Sequence, residues 1–543
     1  MKIYVAQLNP VVGDIKRNTD KIIHEIHKAK REKADIFLAS ELFICGYPPL
    51  DLLFFEDFIQ EIEKSILRIK EATKDLFVVL GAPRKTGKEK GKILYNSAVV
   101  IYNGEILGYK DKTLLPEYDV FNETRYFEPG DEEKVWEYKG KKIGIFICED
   151  VWQHAKISRE IRYWRDPVED MKKLKPDLVL NLSASPYYFK KNDIRLEIYK
   201  KAAADLKCPL ILCNQVGAND QLVFDGYSTY FDSGGNLIQM AKGFVEEGII
   251  FDLEETFSEI FMVNPIKDLY DALVLGVRDY FYKQGFSKAC IGLSGGIDSS
   301  LTACIAVDAL GSQNILGVRM PSRFSSLASL EDAGIVAENL RIELKDISID
   351  SIFQDFLDLF SPIFYGKVFG TAEENIQARI RGMILMGISN KLGYVVLSTG
   401  NKSEMAIGYT TLYGDMCGGL ALLSDVSKTL IYKIANWINE KKEIIPKSIF
   451  EKEPSAELKP NQTDREAVYD YSIVDVILEE YVENHITAEE IIKKHNIDRE
   501  IVQDLVERIH IAEFKRRQGP LGINISKKSF SRGRVFPVVQ GWI

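Results

Sequence analysis

Nowhere in the 543 residues does an apolar run approach the roughly 20 residues needed to cross a bilayer, which excludes a helical membrane span. Cysteine is scarce: there are seven and no Cys-x-x-Cys pair, which argues against a disulfide framework or a zinc site and favours reduced thiols. Histidine is scarcer, at six, and only His24 and His27 lie close together, on a Lys/Glu-rich helical stretch where both are expected to be solvated. Basic residues are not in excess. Seventy Lys and Arg against 80 Asp and Glu leave a net charge of −10, which argues against a dominant nucleic-acid surface. Repeats and low-complexity tracts are missing, and the opening Met1-Lys2-Ile3-Tyr4-Val5-Ala6 is strand-like without a signal-peptide layout. A cytoplasmic chain with neither membrane nor nucleic-acid partners is therefore expected. What is present, 46% hydrophobic and 28% charged residues, is ordinary for a soluble globular protein, and the length suggests two to four domains.

The first half alternates short β-rich runs with helical ones. Ile3–Gln7, Ile36–Ala39, Phe77–Gly81, Ser97–Tyr102, Lys142–Ile147, Leu178–Leu182, Leu210–Asn214 and Thr229–Phe231 read as strands. Thr19–Lys33, Glu56–Ala72 and Leu196–Leu206 read as helices. Mixed βα and hairpin spacing, with Asn103-Gly104 between strands, suggests an α/β sandwich. The pattern breaks near Asp252–Asp268, so the expected domains are 1–252 and 268–543, joined by a linker over 253–267. The second half reads as a doubly wound parallel α/β domain with strands at Ile315–Met320 and Tyr394–Ser398 and a helical C-terminal part.

The most informative segment is Gly292-Leu293-Ser294-Gly295-Gly296-Ile297-Asp298-Ser299, between an apolar run and a helical one. Glycines let backbone N–H groups approach an anion, serines add donors, and the helix N-terminus favours negative charge. Asp298 beside phosphate calls for a metal ion between them. The Lys of the usual Gly-x-x-x-x-Gly-Lys-Ser/Thr loop is missing, which points away from γ-phosphate transfer and toward cleavage between the α and β phosphates. The plain alternative is a glycine turn feeding a helix.

Cys148 follows the apolar run Ile143–Ile147, where the chain turns, and precedes Glu149 and Asp150. A cysteine there is placed to act as a nucleophile, yet two adjacent acids would raise its pKa, so a cation such as Lys112 must compensate and Glu41 could take the proton. Taken alone, Cys148 is as readily a buried inert thiol.

Three segments together resemble the carbon–nitrogen hydrolase (nitrilase) superfamily over nearly the whole first half. They are accompanied by Ala6-Gln7-Leu8-Asn9-Pro10, Gly46-Tyr47-Pro48-Pro49, Tyr95-Asn96-Ser97-Ala98 and Arg125-Tyr126-Phe127-Glu128-Pro129-Gly130. The resemblance implies a nitrilase-like α/β sandwich with Glu41 as general base, Lys112 stabilising the oxyanion and Cys148 as nucleophile. Through Asn181-Leu182-Ser183-Ala184-Ser185-Pro186 and Lys191 it further implies glutamine held by Tyr118, Ser185 and Lys191. Ser40 before the glutamate departs from the usual proline.

Leu269–Gln518 resembles the NAD synthetase family. Besides the phosphate loop it carries Glu374-Asn375-Ile376-Gln377-Ala378-Arg379, Ser398-Thr399-Gly400-Asn401-Lys402-Ser403-Glu404, Gly408 to Asp415, Pro454-Ser455-Ala456-Glu457-Leu458 and Lys515-Arg516-Arg517. The implied fold is the ATP-pyrophosphatase (adenine nucleotide alpha hydrolase-like) type. Implied contacts are Gly292 to Ser299 and Thr399 for ATP, Asn375, Glu404, Asp415 and Lys515 for deamido-NAD, and Asp298 with Glu404 for Mg²⁺, with no redox cofactor. Arg516 and Arg517 are expected to belong to a solvated face. Ser427, in Asp425-Val426-Ser427-Lys428-Thr429, stands where related chains often carry proline, and Thr463–Tyr471 is looser than the family pattern.

The two halves explain each other, because one would release ammonia and the other consume it. Together they resemble the glutamine-dependent NAD synthetase family. That implies conversion of deamido-NAD, ATP, L-glutamine and water to NAD, AMP, pyrophosphate and glutamate, in a homo-oligomer. The alternatives are another pyrophosphatase-type amidotransferase with a different acceptor, a nucleotide-binding regulatory protein, and an amidase with a structural partner domain.

Overall fold

The computed structural model describes residues 1–156, 162–255, 263–460, 462–464 and 468–542. The expected linker and the stretch Thr463–Tyr471 fall partly outside them. The chain divides into two compact units, Met1–Asn264 and Pro265–Ile543.

In the first unit, strands whose inner members are buried on both faces stack into two sheets. One six-stranded sheet runs in the order Glu247–Asp252, Lys2–Gln7, Ile36–Ala39, Phe77–Lys85, Leu94–Tyr102, Glu105–Asp111. The other runs Leu237–Met240, Thr229–Phe231, Leu210–Asn214, Leu178–Ser183, Lys141–Ile147, Val135–Tyr138. Ile3, Val5, Leu38 and Val79 of the first share a core with Ile143, Ile145, Leu180 and Ile211 of the second. Their alternate residues face helices. Tyr4 and Phe37 pack under Ile15–Arg31 and Glu56–Glu71, whereas Phe146 and Leu212 pack under Pro167–Leu174 and Lys191–Leu206. Ile15, Ile22, Ile26 and Ala29 form the buried stripe of the first of these helices, at the spacing that one helical face requires. Four layers result, and all eight expected strands and three expected helices occur, Ile36–Ala39, Leu210–Asn214 and Thr229–Phe231 with the expected ends and the others with shifted ones. The strands that went unread are mostly short or polar edge segments, such as Val135–Tyr138 and Leu237–Met240.

The second unit holds a five-stranded, all-parallel sheet in the order Glu343–Asp346, Ile315–Arg319, Ala289–Gly292, Val395–Ser398, Leu420–Ala421. Chain order reverses at the two central strands, and the crevice beyond their carboxyl ends is where such sheets bind ligands. Helices Ile297–Leu310 and Thr371–Leu392 follow and precede those strands. A helical subcore of Val474, Ile477, Val502, Leu505 and Ile509 completes the unit.

Gly81 shows how tightly the first unit closes around one catalytic candidate. A Cβ there would lie 2.2 Å from the amide nitrogen of Leu42 and 2.6 Å from the carbonyl oxygen of Ser40, the two neighbours of Glu41. Gly81→Ala is expected to cost about 1–3 kcal/mol through overpacking. The check is the urea midpoint of unfolding, and an unchanged midpoint would mean that the strands separate freely.

Candidate active sites

Glu41, Lys112 and Cys148, distant in sequence, converge at the strand ends of the first unit. Glu41 lies just past Ile36–Ala39, Lys112 just past Glu105–Asp111, and Cys148 opens a 3-10 turn after Lys141–Ile147. Lys112 Nζ donates to Glu41 Oε1 at 2.7 Å and to Glu123 Oε1 at 2.8 Å, and all three side chains are buried. Glu123 was not foreseen. It lies in Glu123-Thr124-Arg125, where nothing local distinguishes it from a surface acid. Tyr47 donates to its Oε1 at 2.9 Å. Glu41 also accepts from Asn96 Nδ2 at 2.7 Å and from the Ala184 amide at 3.0 Å.

The electrostatics follow from burial. Desolvation would lower the Lys112 pKa, but Glu123 and Glu41 more than offset it, so the ammonium stays charged. Glu123 is pushed up to about 7, chiefly by burial and also by Glu41, against the pull of Lys112. Burial raises the Cys148 thiol and Glu41 adds to this, whereas Lys112 and Ser183 oppose it. The resting site therefore holds a thiol, with Glu41 as its acidic neighbour. Cys148 sits at φ +44°, a left-handed conformation that costs a non-glycine residue about 1–3 kcal/mol. Its amide donates to Asn181 Oδ1 at 3.2 Å.

The two acids after Cys148 are spoken for. Glu149 accepts from Tyr118 at 3.0 Å and from Tyr163 at 3.1 Å, and burial raises its pKa. Among the described residues, Asp150 accepts hydrogen bonds from backbone N–H groups alone. Lys191 is buried, donates to the Pro186 carbonyl at 2.6 Å, and lies 5.2 Å from the ring centres of Trp152 and Tyr188. Burial and the nearby Arg195 bring its pKa down to about 8. The amide of Ser185 is held at 3.0 Å by Asn214. Tyr118, through Glu149, thus joins the Cys148 group.

In the second unit a cavity of about 320 Å³ opens at the ends of the two central strands. Its wall includes Ser294, Asp298, Thr399, Glu404 and Asp415. Gly295 has φ +77°, and a Cβ there would meet the Ser329 carbonyl oxygen at 2.0 Å, so only glycine fits. Ser294 and Ser299 hydroxyls pair at 3.1 Å, and Lys452 Nζ donates to the Gly295 carbonyl at 3.1 Å.

Asp298 and Glu404 share a cation supplied by the chain. Lys428 Nζ lies 2.5 Å from Asp298 Oδ2 and 3.5 Å from Glu404 Oε1. Asn401 binds both partners: its Nδ2 donates to Asp298 Oδ1 at 3.1 Å, and its Oδ1 caps the Glu404 amide at 2.9 Å. Glu404 is pushed up to about 8 by burial, with Lys428 opposing and Asp298 and Asp464 adding. Lys428 also went unforeseen, although Asp425-Val426-Ser427-Lys428-Thr429 was singled out for its serine. Helix Tyr471–Ile477 seats that segment, since Asp475 accepts from Ser403 Oγ at 2.5 Å and from the Thr429 amide at 2.9 Å.

The remaining expected residues stand differently. Asp415 accepts from the Thr411 amide at 2.8 Å and is pushed up to about 6 by burial. Asn375 and Lys515 are not among the lining residues. Asn375 accepts from Thr411 Oγ1 at 2.8 Å, and Lys515 Nζ donates to the carbonyls of Gly408 and Thr410, each at 2.8 Å. Arg516, expected on a solvated face, is instead buried and donates to the carbonyls of Met405, Ala406 and Ile509, a correction that its helix-cap position explains.

Residues 2–254 match the carbon–nitrogen hydrolase family and residues 269–519 match the NAD synthase family, so the class is one that unites these two domains in a single chain. The glutamine-dependent NAD(+) synthetase of Synechocystis sp. is 42% identical over 99% of this chain and 99% of its own length. That of Thermotoga maritima is 40% identical over 99% and 98%. The structure of glutamine-dependent NAD+ synthetase from Acinetobacter baumannii in complex with ADP is 37% identical, with a TM-score of 0.79 over 100% of this chain and 99% of that one. The chain belongs to the glutamine-dependent NAD(+) synthetases.

Removing the shared cation tests the second grouping. Lys428→Met should cost about 3–5 kcal/mol, because it leaves acids buried without a counter-charge. Adding Asp298→Asn should recover part of that loss in a urea-unfolding cycle, and strict additivity would show the pair to be uncoupled.

Proposed function

We propose that the chain makes NAD from deamido-NAD, using ATP and ammonia that it releases from L-glutamine. The single observation that carries this reading is the coexistence, in one member of this family, of a buried Glu–Lys–Cys grouping and a glycine-rich loop at a sheet's switch point. The glutaminase part is assigned to 1–252 and the ligase part to 268–543, with 253–267 joining them.

Glutamine enters with its polar ends at Tyr118, Ser185 and Lys191. Glu41 takes the Cys148 proton as sulfur attacks the side-chain amide carbon, and Lys112 lies beside Glu41 to meet the oxyanion. The proton passes to the departing nitrogen, ammonia leaves, and a thioester remains. Water deprotonated by Glu41 then cleaves the thioester to glutamate and restores the thiol. Glu123 keeps Lys112 charged and aimed throughout.

In the ligase part, a carboxylate oxygen of deamido-NAD attacks the α-phosphorus of ATP, and pyrophosphate leaves toward Ser294–Ser299. Ammonia displaces AMP from the acyl-adenylate, losing a proton as the amide forms. Thr399 contacts ATP, and Asn375, Glu404, Asp415 and Lys515 shape the deamido-NAD site, Asn375 and Lys515 through the Thr410–Thr411 segment. Asp298 and Glu404 are hard oxygen donors at the cavity wall and would hold Mg²⁺ in place of the Lys428 ammonium that pairs with both. Bound there, the ion would neutralise phosphate charge. Seven unpaired thiols support a reducing, cytoplasmic setting, and a homo-oligomer is the expected assembly.

Two experiments test this reading. Wild type should make NAD from either glutamine or ammonium, and Cys148→Ala from ammonium alone; NAD from glutamine in the variant would sink the thiol mechanism. The second concerns pH. An ammonium with a pKa near 8 is charged below that pH and neutral above it. The glutamine KM should therefore rise as pH passes about 8, by up to tenfold per unit. Lys191→Arg, charged throughout, should flatten this rise, and equal slopes in both proteins would remove Lys191 from substrate binding.

A further inference from the structure

Asp150 is fully buried, and each of its oxygens is committed to backbone. Oδ1 accepts from the amides of Thr113 at 3.0 Å and Leu114 at 2.9 Å. Oδ2 accepts from the amide of Ile147 at 3.0 Å. The first two amides follow Lys112 directly, and the third immediately precedes Cys148. Apart from this carboxylate, neither segment has a described hydrogen bond to the other's backbone at these positions.

The surroundings hold the carboxylate in place. Lys110 Nζ lies 3.7 Å from Asp150 Oδ2 and 3.4 Å from Glu133 Oε1. It also donates to the Asp111 carbonyl at 2.6 Å and to Thr113 Oγ1 at 2.8 Å, while Thr113 Oγ1 donates to Glu133 at 2.8 Å. The backbone of Lys112 is fixed on its other side, its amide donating to the Asn96 carbonyl at 2.8 Å and its carbonyl accepting from Gly130 at 2.7 Å. Gly130 tolerates no side chain there, because a Cβ would meet the Asp111 carbonyl oxygen at 2.4 Å.

We infer that Asp150 is a positioning residue for glutamine hydrolysis. Its single carboxylate sets the register between the segment that carries the Lys112 ammonium and the strained turn that carries the Cys148 sulfur. It touches neither substrate nor reacting atoms, and it uses the acidity beside the nucleophile to bind backbone. This rests on the reading of Cys148 as the hydrolytic thiol.

The chemistry dictates the test. Asp150→Asn keeps the size but presents one acceptor and one NH₂ group. Whichever way the amide turns, a donor faces either Ile147 N–H or the Thr113 and Leu114 pair, and one segment is released. Displacements near an ångström cost about 100-fold in rate, so kcat for glutamine hydrolysis should fall by about that factor, with the glutamine KM changed less than about threefold. Ammonium-driven NAD synthesis, read on the same full-length enzyme, should stay at the wild-type rate and report that the second unit is intact, and an unchanged urea midpoint should report the same for the first. Asp150→Glu, which retains both oxygens, should lose less than the asparagine variant.

Unchanged kcat in Asp150→Asn would overturn the proposal. So would a loss carried wholly by KM. A lowered urea midpoint, or loss of the ammonium-driven rate, in both variants would mark Asp150 as a folding residue and overturn it too. A Cys148→Ala control that still hydrolyses glutamine would instead remove the underlying thiol reading, which separates the two failures.

Discussion

A buried ammonium held between two carboxylates recurs in both units, and the remaining site chemistry is arranged around it. Lys112 stands between Glu41 and Glu123, and Lys428 stands between Asp298 and Glu404. An isolated charge in such surroundings would neutralise itself, so each lysine keeps its proton only because two acids surround it. Burial, and to a lesser degree the neighbouring acid, pushes one carboxyl of each trio up against the pull of the lysine. Glu123 near 7 and Glu404 near 8 are those acids. The same geometry anchors the strand ends of each unit.

The folds serve these clusters differently. In the sandwich, the catalytic candidates come from strand exits on both sheets, and packing between the sheets brings Lys141–Ile147 beside the other segments. In the parallel sheet, reversal of strand order opens the crevice, and the glycine-rich loop and the Thr399–Asn401 segment enter from neighbouring strands. Local sterics then fix the details: no side chain fits at Gly295 or Gly81.

Much of this could be read from residues alone, and what escaped did so for physical reasons. Strands with apolar residues on both faces, such as Leu178–Ser183, stand out as runs, as does the glycine-rich loop. Glu343–Asp346 alternates Glu, Leu, Lys and Asp at a sheet edge, and nothing in that composition separates it from a loop. Glu41, Lys112 and Cys148 were legible through their flanking segments. Glu123 and Lys428 were not, because their partners are tertiary: Lys428 meets an aspartate 130 residues away. Arg516 misled for the converse reason. Its neighbours look like a surface cluster, yet its guanidinium closes the carbonyl ends of helices from within.

Asn401 has a consequence of its own. It is the neutral member of an otherwise ionic cluster, donating toward Asp298 with one atom and accepting the Glu404 amide with the other. Exchange of that NH₂ for oxygen, as in Asn401→Asp, barely changes shape. It would nevertheless turn a donor into an anion and leave Lys428 facing three acids. The charge balance of this cluster therefore rests on one neutral amide that an acid of the same shape cannot replace.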